Sequence, residues 1–294
     1  MNERRVIALG FFDGVHIGHG ALLKKTCERA TELGAIPAAM SFDTHPDTLV
    51  FGTPTELLNT MDERKQLMQS LYGIEDVIFC HFDKAMMNMD WEAFVEDYLV
   101  RELHACHLVC GHDYHFGARG FGNAERLTEK CRALGLGCDV IGEVKLDGVT
   151  VSSTYLRRLL KEGRMEEAEE MLGMPYTLVG AVEHGNHIGH TLGFPTVNLL
   201  PPAGKLLPPN GVYYAAVRHN GKVYKAISNV GTKPTVSSEK VMGVESYLYD
   251  FDQDIYGQEI EVALKRFRRP ERRFGSLEEL KEQLDRDIAD GRNA

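Results

Sequence analysis

The pattern of this chain changes character once, at Gly173-Met174-Pro175, and that change limits the folds open to it. Before the break, short apolar runs alternate with helical patterns. Val6 to Leu9, Ile36 to Phe42, Val77 to Phe79, Leu108 to Cys110 and Val140 to Ile141 read as buried strands. Ala21 to Leu33, Asp62 to Leu71, Trp91 to Leu103 and Ala124 to Leu134 read as helices. Strands alternating with helices predict a parallel sheet covered on both faces, which binds ligands beyond the carboxyl ends of its strands. After the break, strand-like runs at 176–182, 211–217, 223–228, 244–249 and 260–267 follow one another without helices between them. That spacing predicts a small antiparallel barrel. Ser276-Leu277-Glu278-Glu279 is a capping box opening a final helix, and its stripe of Leu277, Leu280, Leu284 and Ile288 is suited to cover the barrel. The expectation is an α/β Rossmann-like domain over 1–173 and an all-β barrel domain with a terminal helix over 174–294.

Composition narrows the function classes. The chain has 294 residues, 43% hydrophobic and 26% charged, with a formal net charge of -10. Broad nucleic-acid binding needs a basic footprint, which this balance lacks. No apolar run approaches the roughly 20 residues that span a bilayer, and Val6 to Leu9 is too short for a signal-peptide core. The chain therefore reads as cytoplasmic. Its six cysteines, all in the first half and none in C-x-x-C spacing, read as reduced thiols.

Gly10-Phe11-Phe12-Asp13-Gly14-Val15-His16-Ile17-Gly18-His19 follows the first strand and leads into a helix. The spacing puts two imidazoles at a helix N-terminus, where free N–H groups and the dipole favour an anion. Histidines there can donate to a phosphoryl group as its charge redistributes. Gly14 and Gly18 allow close approach of a nucleotide. Ser152-Ser153-Thr154-Tyr155-Leu156-Arg157 starts another helix with hydroxyls and an arginine suited to further phosphates. The stretch holding His104, Cys106, His107, Cys110, His112 and His115 fits no zinc spacing, and a strand through it sends alternate side chains to opposite faces. Asp113, on the loop after that strand, is a candidate for binding ribose or adenine.

In the second half, Gly189-His190-Thr191-Leu192-Gly193-Phe194-Pro195-Thr196-Val197-Asn198 has few ordinary structural explanations. Pro195 fixes the backbone, and Thr196 and Asn198 face one side of an extended segment. Their oxygens suit a hard cation such as Mg²⁺. Gly185 to His190 is a candidate flap over phosphates. Glu245, in a strand near these groups, is a candidate general base for phosphoryl transfer.

With Phe42-Asp43-Thr44-His45-Pro46, Pro209 to Tyr213, Asn229 to Thr235, Asp254 to Gly257 and Arg269-Pro270-Glu271, the ordered set resembles the bacterial bifunctional riboflavin kinase/FAD synthetase family over about Val6 to Asp287. The resemblance implies two reactions. ATP phosphorylates riboflavin to FMN in the barrel, with Thr196 and Asn198 on Mg²⁺–ATP, Gly189, Gly193 and Pro195 in the same motif, and Glu245 as base. FMN then attacks a second ATP to give FAD and pyrophosphate, with His16, His19 and Arg157 stabilising the transfer. Gly10, Phe11, Asp13, Gly14, Gly18, Asp113, Ser152, Ser153 and Thr154 are the matching nucleotide-binding positions. Two positions depart from the family pattern. His190 stands where arginine is common, and Thr44 where proline is usual. An enzyme with a weakened kinase and a flavin-binding regulator stay open as alternatives, as does a homo-oligomer.

Overall fold

The computed structural model describes residues 4–184, 194–234 and 240–293. The chain divides into two compact units, Met1–Ser153 and Thr154–Ala294. In the first, β1 (Arg5–Leu9), α1 (Ile17–Leu33), β2 (Ile36–Phe42), α2 (Pro46–Phe51), α3 (Met61–Tyr72) and β3 (Asp76–Cys80) come first in order. Then follow α4 (Lys84–Met87), α5 (Trp91–Ala93), β4 (Ala105–Gly111), the short pair β5 (His115–Phe116) and β6 (Gly122–Asn123), α6 (Ala124–Ala133) and β7 (Gly137–Ile141). A two-residue hairpin, β8 (Lys145–Leu146) and β9 (Val149–Thr150), closes the unit.

The sheet order is β3-β2-β1-β4-β7, and every pairing in it is parallel. Two apolar layers cover it. Leu9, Met40, Phe94, Leu108 and Leu127 lie in one, and Val6, Ala8, Phe12, Leu23, Met68 and Val109 in the other. This alternation along β1 and β4 is what a strand buried on both faces requires. Because β2 and β4 flank β1 on opposite sides, the strand order reverses there. The crevice beyond the carboxyl ends of β1 and β4 is the ligand-binding position of such sheets.

Two of the differences from the sequence expectation have a local description. Phe94–Glu102 forms π-helix where an α-helix was expected through Leu103. The wider turn carries the Leu103 N–H to the Tyr98 carbonyl, and Phe94, Val95 and Leu99 enter the core. The short helix α2 escapes periodicity altogether. It is set locally by Pro46 in its first turn and by His45, whose side chain accepts the Asp47 N–H.

In the second unit, α7 (Ser153–Lys161) and α8 (Met165–Leu172) precede β10 (Tyr176–Glu183), β11 (Thr196–Leu199), β12 (Gly211–His219), β13 (Lys222–Pro234), β14 (Lys240–Leu248) and β15 (Glu259–Pro270). These six strands close into a barrel in the order β10-β11-β14-β13-β12-β15. Register puts Leu199 opposite Val244, Val244 opposite Val230 and Tyr213 opposite Ser228. Those residues fill the interior, where Ser228 and Ser246 satisfy each other at 2.7 Å. Helix α8 packs on β10 and β15, burying Met165, Ala168, Met171 and Leu172. The compact units part just after Ser153, the first residue of α7, twenty residues ahead of the Gly173 break in pattern.

The C-terminal helix α9 (Leu277–Asn293) starts with Ser276 accepting the Glu279 N–H, while the Glu279 carboxylate accepts the N–H of Gly275. Ile288 packs beside a cluster of Val212, Ile227 and Tyr249. Leu280 and Leu284 line a cavity, and Leu277, at the start of the helix, is exposed. The apolar stripe thus walls a space beside the barrel where close cover was expected.

Candidate active sites

The first site is built on the turn leaving β1. Phe12 and Val15 take positive φ of 58° and 42°, and Gly14 takes 88°. Such backbone costs about 1–3 kcal/mol at each non-glycine residue. Complete burial of the Phe12 and Val15 side chains offsets it. Gly10 has no Cβ because one would meet the Phe12 ring at 3.1 Å, and one on Gly18 would meet the His16 ring at the same distance.

His16 is the N-cap of α1. Its Nδ1 accepts the His19 N–H at 3.1 Å, so the neutral ring carries its proton on Nε2. The two imidazoles stack with centroids 3.6 Å apart. Burial holds His16 down at about 4, partly opposed by hydrogen bonding to its own backbone. Burial, then the charges of His16 and Arg64, hold His19 well below the usual histidine range. Both rings are therefore neutral near pH 7. His19 Nδ1 is buried and has no hydrogen-bond partner among the described residues.

Asp13 turns away from this surface. Its carboxylate accepts the N–H groups of Leu58 and Asn59 at 2.9–3.0 Å, tying the loop before α3 to the turn. The Asp13 carbonyl accepts the Ser153 hydroxyl at 2.8 Å, which ties Ser153 to the turn after β1. Ser152 precedes Ser153, and Thr154 and Arg157 follow it on α7, in the second compact unit. Phe11 presents its carbonyl to Ser41 and Arg64. Asp113 is exposed on the turn after β4, at the same sheet edge as the turn after β1.

A cavity of about 560 Å³ in this unit is lined by Phe42, Phe82, Met86, Tyr114, Phe116 and Arg119, among others. Sequence reasoning found the loop at 110–117 but missed this pocket. Its walls come from four separate segments, and its only sequence signal is the density of aromatic and methionine side chains.

In the second unit, Thr196 and Asn198 lie two apart on β11 and share its outer face. Asn198 pairs with Glu245 on β14, and Glu245 pairs with Asn229 on β13, giving one row across three strands. The Thr196 hydroxyl donates to Glu245 at 2.6 Å. Thr196, Asn229, Glu245 and Tyr247 line a cavity of about 590 Å³ whose far wall is Leu280, Leu284 and Ile288 of α9. Pro195 lies in the described chain, whereas Gly189, His190 and Gly193 lie outside the described residues.

Two supports of this cavity had no role assigned from the sequence. Asp287, 1% exposed, accepts from Arg269 at 2.7 Å, Arg268 at 3.0 Å and Gln283 at 3.0 Å. Burial would raise its carboxyl, but these donors, Arg269 first, hold it below the usual range. Glu271 accepts from Asn229 at 3.2 Å and Asn210 at 3.3 Å. Gly231 makes room for it, since a Cβ there would lie 2.0 Å from the Glu271 carboxylate.

The donors fit a hard divalent cation. A hydroxyl and an amide share one strand face beside a carboxylate, and all are oxygen ligands of the kind Mg²⁺ accepts. Among the described residues no group of three or more His, Cys, Asp or Glu is placed to hold a metal.

Residues 1–155 match the FAD synthetase family model, and residues 172–294 match the riboflavin kinase family model. The bifunctional riboflavin kinase/FMN adenylyltransferase of Listeria monocytogenes is 34% identical over 290 residues, covering 98% of this chain and 91% of that protein. The proteins of the same name from Bacillus subtilis and Escherichia coli are 32% and 34% identical, covering 97% of this chain and 90% and 91% of theirs. A crystal structure described as a macrolide-efflux protein from Streptococcus pneumoniae matches with a TM-score of 0.88 and 27% identity, covering 100% of this chain and 95% of that one. No helix among the described residues is long and apolar enough to cross a membrane. With both family models matched in order and relatives similar over nearly its whole length, the chain belongs to the bifunctional riboflavin kinase/FMN adenylyltransferase family.

Proposed function

We propose that this chain makes FMN at the barrel and FAD at the parallel sheet, with the residue roles that follow. The observation that carries the first step is the Thr196–Glu245 pair on the wall of a flavin-sized cavity. Riboflavin packs its ring system against Leu280, Leu284 and Ile288, which brings its 5′-hydroxyl to Glu245. The hydroxyl oxygen attacks the γ-phosphorus of ATP, its proton passes to Glu245, and ADP leaves. The Thr196 hydrogen bond holds the carboxylate in place. Thr196 and Asn198 are the groups that would hold Mg²⁺ with the ATP phosphates. When bound, the ion neutralises charge on those phosphates.

In the second step a phosphate oxygen of FMN attacks the α-phosphorus of ATP, and the bond to the bridging oxygen breaks to release pyrophosphate. His16 donates from Nε2, the nitrogen left protonated by its N-cap bond, and His19 supports the same phosphoryl oxygens. Gly10, Gly14 and Gly18 keep the backbone open to the nucleotide. Arg157, one helical turn beyond Ser153, pairs with the pyrophosphate. The 560 Å³ cavity takes the flavin ring of FMN, because its aromatic and methionine walls match a flat apolar ring system. We keep the functional division at 173/174, since Arg157 belongs to the first motif set and the riboflavin kinase match begins at residue 172.

The test is incubation of the full chain with riboflavin, ATP and Mg²⁺, followed by chromatography of the flavins. FMN followed by FAD is the expected sequence. Unchanged riboflavin with FMN still converted to FAD would remove the kinase assignment, and flavin binding without turnover would remove both.

A further inference from the structure

Arg64 on α3 is fully buried, and none of the reaction roles above uses it. Its guanidinium spans two strand ends. Nη1 donates to the Phe11 carbonyl at 2.8 Å and to Ser41 Oγ at 2.7 Å, and Nη2 donates to the Phe42 carbonyl at 3.0 Å. The Ser41 hydroxyl in turn donates to Phe11 O at 2.7 Å. The group lies over the rings of Phe11 at 4.3 Å and Phe79 at 5.0 Å. Its Nε is buried and has no partner among the described residues. Burying a charge with one donor unmet is expensive, and an apolar side chain of similar length would fill this space without that penalty. The charge therefore needs a reason beyond packing. Phe11 and Phe42 are the residues where β1 and β2 deliver their chains to the adenylyl-transfer site.

We propose that Arg64 is a positioning residue for adenylyl transfer, binding the carboxyl ends of β1 and β2 together and setting the turn that carries His16 and His19. The proposal rests on the reading of that turn as the transfer site. Two links hold α3 to the turn: Arg64 to Phe11, and Asp13 to the N–H groups of Leu58 and Asn59. The second ties the loop before α3 to the turn through the Asp13 side chain. The first fixes the backbone from which Phe12 to Val15 take their strained path.

A fixed cation behind the imidazoles has a second consequence. His19 meets the stacked His16 ring, the edge of Phe12 and the charge of Arg64, while Asp13 and Asp43 are the acids that act on the guanidinium. Arg64 thus favours the neutral ring of His19. Loss of the charge moves the protonation of His19 to higher pH, an effect that a purely structural cross-link would not produce.

The experiment uses the full chain, with riboflavin phosphorylation in each preparation as the internal control. In Arg64→Met, kcat for FMN adenylylation should fall about 100-fold, the loss typical of catalytic groups displaced by about 1 Å. KM for ATP and FMN should change little, and the acid limb of kcat/KM should move to higher pH. Arg64→Lys keeps the charge and should restore the position of that limb with part of the rate. If Arg64→Met does not fold, Ser41→Ala and Arg64→Lys carry the test: both should lower adenylylation kcat while sparing riboflavin phosphorylation. An unchanged adenylylation kcat overturns the proposal. So does a loss that only tracks the folded fraction, or an acid limb that stays in place in Arg64→Met. A wild-type chain unable to adenylylate FMN would instead overturn the reading of the site itself.

Discussion

Lowering the pH should loosen the first unit, and His16 sets the size of the effect. Its pKa falls from 6.5 to about 4 on folding, because the buried ring resists charge. The unfolded chain therefore binds a proton at a pH where the folded chain does not. Stability is complete above the unfolded value and is lost as pH falls from about 6.5 toward 4. At about 1.36 kcal/mol per unit the whole drop amounts to roughly 3 kcal/mol, of which about 2 kcal/mol is gone by pH 5. His19 is shifted in the same direction and adds to the loss. His16→Asn removes the titration but keeps an oxygen able to cap α1. The chain has one tryptophan, Trp91, in the first unit beside Phe116, so tryptophan emission during denaturant unfolding reports this unit alone. Between about pH 7.5 and pH 5, the variant should lose about 2 kcal/mol less unfolding free energy than wild type. Equal pH slopes for the two proteins would refute the claim that His16 is held neutral by burial.

The two activities should separate by substitution. His19→Ala should slow FAD formation from FMN about 10²–10³-fold and leave riboflavin phosphorylation intact. Glu245→Gln should slow FMN formation by about 10²–10⁴ and spare adenylylation, and parallel loss of both rates in either folded variant would sink the two-site assignment. Phe82→Ala removes one aromatic wall of the smaller cavity and should raise KM for FMN about fivefold, from roughly 1 kcal/mol of lost ring contact. A matching rise in KM for riboflavin would place the flavin elsewhere. Asp287→Asn weakens charge-assisted bonds to Arg268 and Arg269, and should destabilise the barrel unit by about 1.5–3 kcal/mol and raise KM for riboflavin. Thermal unfolding followed by circular dichroism, together with steady-state kinetics, checks both effects, and wild-type values in both would show that the clamp does not support the cavity.

Much of both candidate sites was legible because their residues lie in short contiguous segments. His16 and His19 lie three residues apart at a helix start, and Thr196 and Asn198 two apart on a strand, so local geometry alone aligns them. Glu245 was legible as an acid in a strand, but its partner was not. Its bond to Thr196 depends on the register of β11 against β14, which no local pattern encodes. Asp113 and Asp13 show the complementary case. Both are acids in loops, yet one is exposed and the other is consumed by backbone N–H groups 45 and 46 residues away.

The amino-acid sequence by itself determined the two kinds of fold, the break between their patterns, and the motifs that stand at the ends of β1 and on β11. Hydrophobic period, glycine position and capping residues act over a few neighbours, so they can be read along the chain. Tertiary structure alone decided which distant groups share a site: Arg64 beneath the Phe11 turn, Asp287 behind Arg269, and the aromatic walls of the smaller cavity. Those contacts exist because separate elements bury one another's polar groups, and burial of that kind is a property of the folded packing.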